Sequence, residues 1–263
     1  MKTMKALLFL LSISFLTTAQ PGAWRLLGNP GDWKNSFMAI AGGGKIYSIE
    51  KSGALYETNE LTGNWKQIGK AEFGNTRFLF YAAGSLYTIE NSGSLFRIST
   101  TDGSWKPIGT AGAWKGTIAG TILNNDLYTV ESSGTLYATN LSSGNWQSIG
   151  NADFGTTAYM VAANNKLYTI ETSGSLYEIN AGSGSWRQMG DAGIWLNTAK
   201  VTTLNNKLYT IEKSGALYET DLVAAMWKQL GKPEFGNTIL LLSGWDKLHT
   251  IESSGSLYEV NVR

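Results

Sequence analysis

Two kinds of side chain suited to sugar recognition recur at regular intervals along this chain. A glutamate opens each of six Glu-x-Ser-Gly turns, and a large aromatic residue lies in each of six Gly-led connections. A ring held on a rigid turn can pack on the C–H face of a sugar, while nearby carboxylates and amides bind its hydroxyls. The candidate ligand-binding residues are therefore Trp33, Phe73, Trp114, Phe154, Trp195 and Phe235, together with Glu50, Glu90, Glu131, Glu171, Glu212 and Glu252.

Composition excludes several other kinds of chemistry. The 263 residues include 21 basic and 20 acidic side chains, so no excess of positive charge indicates a nucleic-acid partner. Cysteine is absent and histidine occurs once. These counts argue against thiol catalysis, disulfides and nearly every transition-metal site. We expect neither a cofactor nor a metal.

The first 19 residues have the pattern of a secretory signal peptide. A basic start, MKTMK, precedes the apolar run ALLFLLSISFL, and Thr17 and Ala19 are small residues placed before a cut near Ala19–Gln20. No second long apolar segment follows, so we expect no membrane insertion. The predicted location is outside the cell, or in the periplasm or at the cell surface.

The chain repeats one unit of about 40 residues six times. An aligned column with spacings of 40, 41, 40, 41 and 40 residues contains Tyr47, Tyr87, Tyr128, Tyr168, Tyr209 and His249. The unit 76–105 has an apolar piece, two alternating pieces flanking Asn-Ser-Gly, and a fourth piece that ends it. Four short antiparallel strands at this period form a β-propeller blade. The sequence therefore predicts an all-β fold, a six-bladed β-propeller of four-stranded antiparallel blades.

The two ends of the repeat region predict how the ring closes. Residues 22–28, GAWRLLG, form a fourth strand without its blade, and the chain stops after a third strand, GSLYEVNVR. We expect residues 23–27 to pair with residues 255–260 and complete the last blade, which removes two exposed strand edges. Residues 20–263 would then form one domain.

Up-and-down connectivity places the Glu turns and the aromatic connections on one face of the ring. Each set also has a structural interpretation. The rings could wedge between blades as core, and the glutamates could accept amides of their own turns and stiffen them. The fourth-strand tryptophans are predicted to be scaffold that faces the next blade: Trp24, Trp65, Trp105, Trp146, Trp186 and Trp227. No role is assigned to His249 or Trp245.

The connections alternate between two lengths. Five steps lead from the glycine to the ring in the connections that carry Trp33, Trp114 and Trp195, whereas four steps lead to the ring in those with phenylalanine. The true unit is therefore a pair of blades 81 residues long. An indole on a longer loop offers a larger platform than a phenyl ring, so the sequence predicts two classes of site, with the tryptophan set the stronger.

The segment 68–89, IGKAEFGNTRFLFYAAGSLYTI, resembles the repeat of the tachylectin-type β-propeller lectins, approximately I-G-x-G-G-W-x-x-F-x-F-L-F-F followed by G-x-L-Y-x-V. The connection and its aromatic residue recur in all six units, so the resemblance covers essentially the mature chain. It implies a secreted lectin that binds N-acetylated amino sugars, such as N-acetylglucosamine, between neighbouring blades. Family members close with five blades, whereas this chain has six units.

The predicted function is therefore a secreted, multivalent carbohydrate-binding protein with glycans as partners. The alternative is a propeller scaffold that binds other proteins without catalysis. An enzyme is the weakest hypothesis, because no paired general acid and base stands out from the repeats. A site present in every blade also favours binding, since an active site would normally break the symmetry.

Overall fold

A computed structural model describes residues 20–263, so the predicted signal peptide at residues 1–19 lies outside the described residues. Blade 1 contains β2 (Ser36–Gly42), β3 (Lys45–Glu50), β4 (Leu55–Asn59) and β5 (Trp65–Ile68). Blade 2 contains β6 (Thr76–Ala82), β7 (Ser85–Glu90), β8 (Leu95–Ser99) and β9 (Trp105–Ile108). Blade 3 contains β10 (Thr117–Leu123), β11 (Asp126–Glu131), β12 (Leu136–Asn140) and β13 (Trp146–Ile149).

The second half of the ring repeats this pattern. Blade 4 contains β14 (Thr157–Ala163), β15 (Lys166–Glu171), β16 (Leu176–Ile179) and β17 (Trp186–Met189). Blade 5 contains β18 (Thr198–Leu204), β19 (Lys207–Glu212), β20 (Leu217–Asp221) and β21 (Trp227–Leu230). Blade 6 contains β22 (Thr238–Gly244), β23 (Lys247–Glu252), β24 (Leu257–Val260) and the N-terminal β1 (Trp24–Leu27). The all-β, six-bladed propeller predicted from the repeat is confirmed.

The predicted closure of the ring is also confirmed. Strand β1 pairs antiparallel with β24, and the register runs from Trp24 opposite Val260 to Leu27 opposite Leu257. Backbone hydrogen bonds extend this ladder beyond the strands, because Gly22 N–H donates to the Asn261 carbonyl. The first and last segments of the described chain therefore share one sheet, and each blade has four strands.

Turn chemistry and burial explain why these segments form blades. The first hairpin of blade 3 turns at Asn124 and Asn125, whose φ values of 51° and 66° suit a two-residue turn that matches the strand twist. The second strands carry the most buried side chains, such as Ile46 and Ile49 of β3, both with no exposed surface. Clusters of buried apolar residues join neighbouring blades. Within residues 20–263 no helix has the length and apolarity needed to cross a membrane.

The closing junction contains a buried polar pair that breaks the repeat. Glu60 follows β4 of blade 1 and is 3% exposed, and His249 of blade 6 is 1% exposed. The His249 Nδ1 and Glu60 Oε1 atoms are 3.7 Å apart, and neither side chain makes a hydrogen bond within residues 20–263. A Cβ on Gly244 would collide with the Glu60 carboxylate, so this glycine provides the space for it. Leucine takes the position of Glu60 in blade 3, at Leu141.

Burial shifts the pKa values of Glu60 and His249 in opposite directions. Desolvation, with the negative charges of Glu259 and Asp246, raises the pKa of Glu60 to about 7. Desolvation lowers the pKa of His249 to about 4. Both groups are therefore uncharged between these values, which is the form that burial without a partner favours.

We predict opposite pH dependences of stability for two variants at this junction. Glu60→Leu leaves only the histidine shift, so the free energy of unfolding should rise as pH increases from about 4 to about 6.5. His249→Tyr leaves only the carboxyl shift, so stability should fall as pH increases from about 4.5 to about 7. Denaturant unfolding across this range measures both slopes. Parallel pH profiles for the two variants would contradict the prediction.

A second prediction concerns closure. Deleting residues 20–28 removes β1, exposes the backbone edge of β24 and loses the burial of Leu27, which is 2% exposed. We expect the shortened chain to aggregate, as measured by size-exclusion chromatography with light scattering. Arg25→Ala, which changes only an exposed side chain of the same strand, is the matched control and should remain monodisperse. A monomeric deletion variant with unchanged stability would show that closure by β1 is dispensable.

Candidate ligand-binding grooves

The six connection rings lie in the core between blades. Trp33, Trp114 and Trp195 are 2–3% exposed, and the three phenylalanines, Phe73, Phe154 and Phe235, are 3–4% exposed. The Trp33 Nε1–H donates to the Thr58 hydroxyl at 3.3 Å, inside the fold. A stacking platform needs a free ring face, which the three indoles lack. The six rings therefore lie where the structural interpretation expected them, wedged between blades as core. The larger tryptophan rings fill core space and offer no surface to a ligand.

The repeated glutamates bridge two strands rather than stiffen their own turns. In each turn the glutamate backbone carbonyl, not its carboxylate, accepts the glycine N–H, as Glu90 does from Gly93 at 2.8 Å. The carboxylate accepts a hydroxyl hydrogen bond from the start of the first strand instead, and Thr76 donates to Glu90 at 3.0 Å. The same bond joins Thr117 to Glu131, Thr157 to Glu171, Thr198 to Glu212 and Thr238 to Glu252. In blade 1 the corresponding Ser36 hydroxyl has no hydrogen bond to Glu50 within residues 20–263.

The fourth-strand tryptophans are exposed, so the expectation that they are buried scaffold is wrong. Their exposed fractions run from 44% to 50% in Trp24, Trp65, Trp105, Trp146, Trp186 and Trp227. Each ring packs against an aromatic side chain of the third strand. In blade 2 the Phe96 and Trp105 centroids are 5.0 Å apart with an interplanar angle of 83°. This edge-to-face contact holds one indole face toward the blade surface.

An acidic residue just before the connection ring fixes the indole in four blades. Trp105 Nε1–H donates to Glu72 at 2.9 Å, and Trp186 donates to Asp153 at 3.0 Å. Trp24 donates to Glu234 at 3.1 Å, and Trp65 donates to Asp32 at 2.9 Å. Ala113 and Ile194 take the acid position in blades 3 and 5, where this bond cannot form. The acid was visible in the sequence, but its partner 33 residues away was not.

Three grooves recur in blades 2, 4 and 6, on the face that carries the Glu turns and the connections. Their volumes are about 520 Å³ in blade 2, about 130 Å³ in blade 4 and about 200 Å³ in blade 6. Each is lined by the connection acid and phenylalanine, the Glu-turn carboxylate and serine, the third-strand aromatic residue and the fourth-strand tryptophan. In blade 2 these are Glu72, Phe73, Glu90, Ser92, Phe96 and Trp105.

The blades that carry these grooves are those with the shorter phenylalanine connection. The residue after the ring is Gly74, Gly155 or Gly236 in these blades, whereas the tryptophan connections have Lys34, Lys115 and Leu196 there. A smaller ring followed by a residue without a side chain leaves space beside the connection. Three of the predicted rings and three of the predicted glutamates thus meet in the grooves, although the sequence had favoured the tryptophan blades.

The groove of blade 2 has a desolvated acidic floor. Burial raises the pKa of Glu90, while the hydrogen bond from the Thr76 hydroxyl opposes the rise by favouring the ionised carboxylate. Thr88 is fully buried and lines this groove, yet its hydroxyl makes no hydrogen bond within residues 20–263. The Thr250 hydroxyl is also buried without a hydrogen bond within residues 20–263, and this residue lines the groove of blade 6. A ligand polar group could satisfy these hydroxyls.

Comparisons with known proteins give the fold but no family. No protein-family model matches the chain, and no curated protein matches it. Virginiamycin B lyase from Staphylococcus aureus is similar, with a TM-score of 0.65 at 11% identity over 92% of this chain and 100% of that one. A Bacteroides thetaiotaomicron protein of unknown function has a TM-score of 0.65 at 13% identity over 90% and 73%. YCF48 from Cyanidioschyzon merolae has a TM-score of 0.54 at 12% identity over 85% and 81%.

These identities establish the β-propeller fold alone. The neighbours differ in what their names describe, and the lyase transfers no activity to this chain at 11% identity. The tachylectin-type family implied by the repeat finds no support in these comparisons. Function must therefore be argued from the grooves.

The two tryptophan positions should respond differently to truncation. Trp114→Ala removes a side chain that is 3% exposed and packed in the core of blades 2 and 3, so we expect a loss of about 3–5 kcal/mol in unfolding free energy. Trp105→Ala removes a side chain that is 48% exposed, and its cost should be smaller because less area was buried. Urea unfolding measures both. Equal losses for the two variants would contradict the assignment of core and surface.

Proposed function

We propose that this protein is an exported, multivalent carbohydrate-binding protein that acts without catalysis and takes glycans rich in amino sugars. N-acetylated sugars such as N-acetylglucosamine are the ligands implied by the tachylectin-type resemblance. We assign binding to the residues that line the three grooves, and not to all twelve connection and turn residues.

One observation carries this proposal: a half-exposed indole stands beside carboxylates and hydroxyls in the same arrangement in three blades. An indole face suits the C–H surface of a pyranose ring, and the surrounding acceptors suit its hydroxyls. The acid–indole hydrogen bond fixes the ring before a ligand arrives, which reduces the entropy lost on binding. Small polar ligands with one apolar face fit such a site.

The spacing of the grooves favours multivalent binding. They lie in alternate blades of one ring and face the same side, so a surface dense in one sugar can occupy several grooves at once. Each groove is open and shallow, and a monosaccharide should therefore bind weakly to it. Simultaneous occupation raises the effective affinity by about 10²–10⁴-fold over one site without new contacts.

The test is binding to immobilised glycans, with a variant that removes only the exposed indoles. Trp24→Ala/Trp105→Ala/Trp186→Ala should abolish binding to amino-sugar surfaces, because all three grooves lose their stacking face. Trp146→Ala is the matched control, since this tryptophan has similar exposure in a blade without the acid–indole bond. It should retain binding. Circular dichroism establishes that the variants fold.

Two results would contradict the proposal. Wild-type protein that binds no sugar on a glycan array or by titration calorimetry would remove carbohydrate binding. Equal loss in the triple variant and in the Trp146→Ala control would show that the three grooves are not the site.

Exposed apolar side chains on the opposite face favour the scaffold alternative. Leu61 is 73% exposed, Val223 81%, Met226 70% and Trp245 80%. All four lie in turns between the first and second or the third and fourth strands of blades 5, 6 and 1, which are adjacent in the ring. Exposed apolar side chains grouped on one face are a feature of protein-binding surfaces. If the glycan tests fail, capture of a protein partner that is lost in Trp245→Ser would support this second function.

A further inference from the structure

The three grooves share an excess of negative charge. Two carboxylates line each one: Glu72 with Glu90 in blade 2, Asp153 with Glu171 in blade 4, and Glu234 with Glu252 in blade 6. No lysine or arginine of residues 20–263 lines any of the three. The chain as a whole has a net charge of only +1, so this concentration of acid is local.

The two carboxylates of a groove keep acceptor capacity for a ligand. Glu72 uses Oε2 to accept the Trp105 indole N–H, and Glu90 uses Oε1 to accept the Thr76 hydroxyl. Their second oxygens make no other hydrogen bond within the part of the chain that is described, whereas in blade 4 the second oxygen of Glu171 accepts from the Thr156 hydroxyl. A carboxylate accepts through both oxygens, so each can take a further donor. Hydrogen bonds to an ionised acceptor are roughly twice as strong as those between neutral groups.

Unpartnered buried hydroxyls recur along the second strands, at Ser48, Thr88, Thr129, Thr169 and Thr250, and in blades 2 and 6 they line the acidic grooves. The Thr88 and Thr250 hydroxyls are at most 1% exposed, line the grooves of blades 2 and 6, and have no hydrogen-bond partner within residues 20–263. The exposed indole and the third-strand ring meet edge to face in all three blades, with centroid distances of 5.0, 5.1 and 4.7 Å. A cation near an indole face is attracted by the ring quadrupole.

We propose that the three acidic grooves select sugars that carry a free, protonated amino group over their N-acetylated counterparts. This inference rests on the proposed carbohydrate-binding function and names its ligand class. A protonated amine offers three charged donors to the two carboxylates and stands beside the indole as a cation. The acetamide nitrogen offers one neutral donor and brings a methyl group and a carbonyl, for which the acids have no complement.

Because the amine is charged, the salt dependence of binding distinguishes this ligand from a neutral sugar. Binding of a free amino sugar should weaken as ionic strength rises, because salt screens charges at exposed sites. Binding that depends on ring stacking and neutral hydrogen bonds should change little. The two contributions can therefore be separated on the same protein.

The experiment compares a glucosamine oligomer with the N-acetylglucosamine oligomer of the same length by titration calorimetry, in slightly acidic buffer of low salt. We expect the free amino form to bind about tenfold more tightly, which corresponds to replacing a neutral hydrogen bond by a charged one. Glu72→Gln/Asp153→Asn/Glu234→Gln removes three charges but keeps an amide oxygen that can accept the indole N–H. This variant should lose the preference and the salt dependence.

Asp32→Asn is the matched control, because Asp32 accepts the Trp65 indole N–H in the same way in blade 1, outside the three grooves. It should keep the preference of the unaltered protein. Equal or tighter binding of the N-acetylated oligomer would overturn this inference and leave the proposed function standing. Binding of neither oligomer, with no other glycan bound, would overturn both. Equal affinity for a lysine-rich peptide of matched charge would overturn the sugar selectivity and assign the grooves to cationic peptides.

Discussion

Burial between neighbouring blades is the constraint on which the rest of this structure depends. A single blade has two faces and cannot cover either alone, so each must pack against its neighbours around the ring. The connection ring is the residue that seals each junction, as Trp114 does where it packs with Phe80 and Leu127 of blades 2 and 3. Because the connection rings are buried in the junctions, a site that stacks a ligand on an aromatic ring needs other aromatic side chains. In the proposed site, the half-exposed fourth-strand tryptophans take this role.

The sequence predicted the fold in detail because the repeat encodes it six times. Strand length, turn glycines and the unpaired segments at each end all follow from period and local pattern, and the register of Trp24 opposite Val260 agrees with them. The site was only partly predictable. Both Trp105 and Trp114 are large aromatic residues near a glycine; the sequence predicted Trp105 as scaffold and left Trp114 open between a ligand-binding ring and core. Only the position of each ring relative to the next blade decides which one is exposed.

The alternation of connection length has a physical consequence that differs from the expected one. An indole was expected to make the stronger platform, but inside a close-packed junction a larger ring fills space rather than offers it. The shorter phenylalanine connection, followed by Gly74 in blade 2, leaves the groove open beside the indole of Trp105. An 81-residue pair of blades therefore combines one tryptophan connection with one phenylalanine connection, and the three-fold repetition of that pair accompanies the three grooves of blades 2, 4 and 6.

Ring closure and one of the proposed ligand grooves depend on the same short segment. Strand β1 completes blade 6 through its backbone, and its first residue, Trp24, supplies the indole of the blade 6 groove through its bond to Glu234. The groove therefore exists only when the N-terminal strand is paired. The neighbouring junction of blades 6 and 1 also contains the unpartnered Glu60 and His249, where the aligned positions of the other blades are threonine or apolar residues for Glu60 and tyrosine for His249. Unsatisfied buried polar groups cost free energy, so this pair weakens a junction that apolar residues such as Trp33, Ile46 and Leu242 otherwise pack. The closing junction is therefore held by apolar contacts like the others, and blade 6 depends in addition on the backbone ladder of β1 and β24.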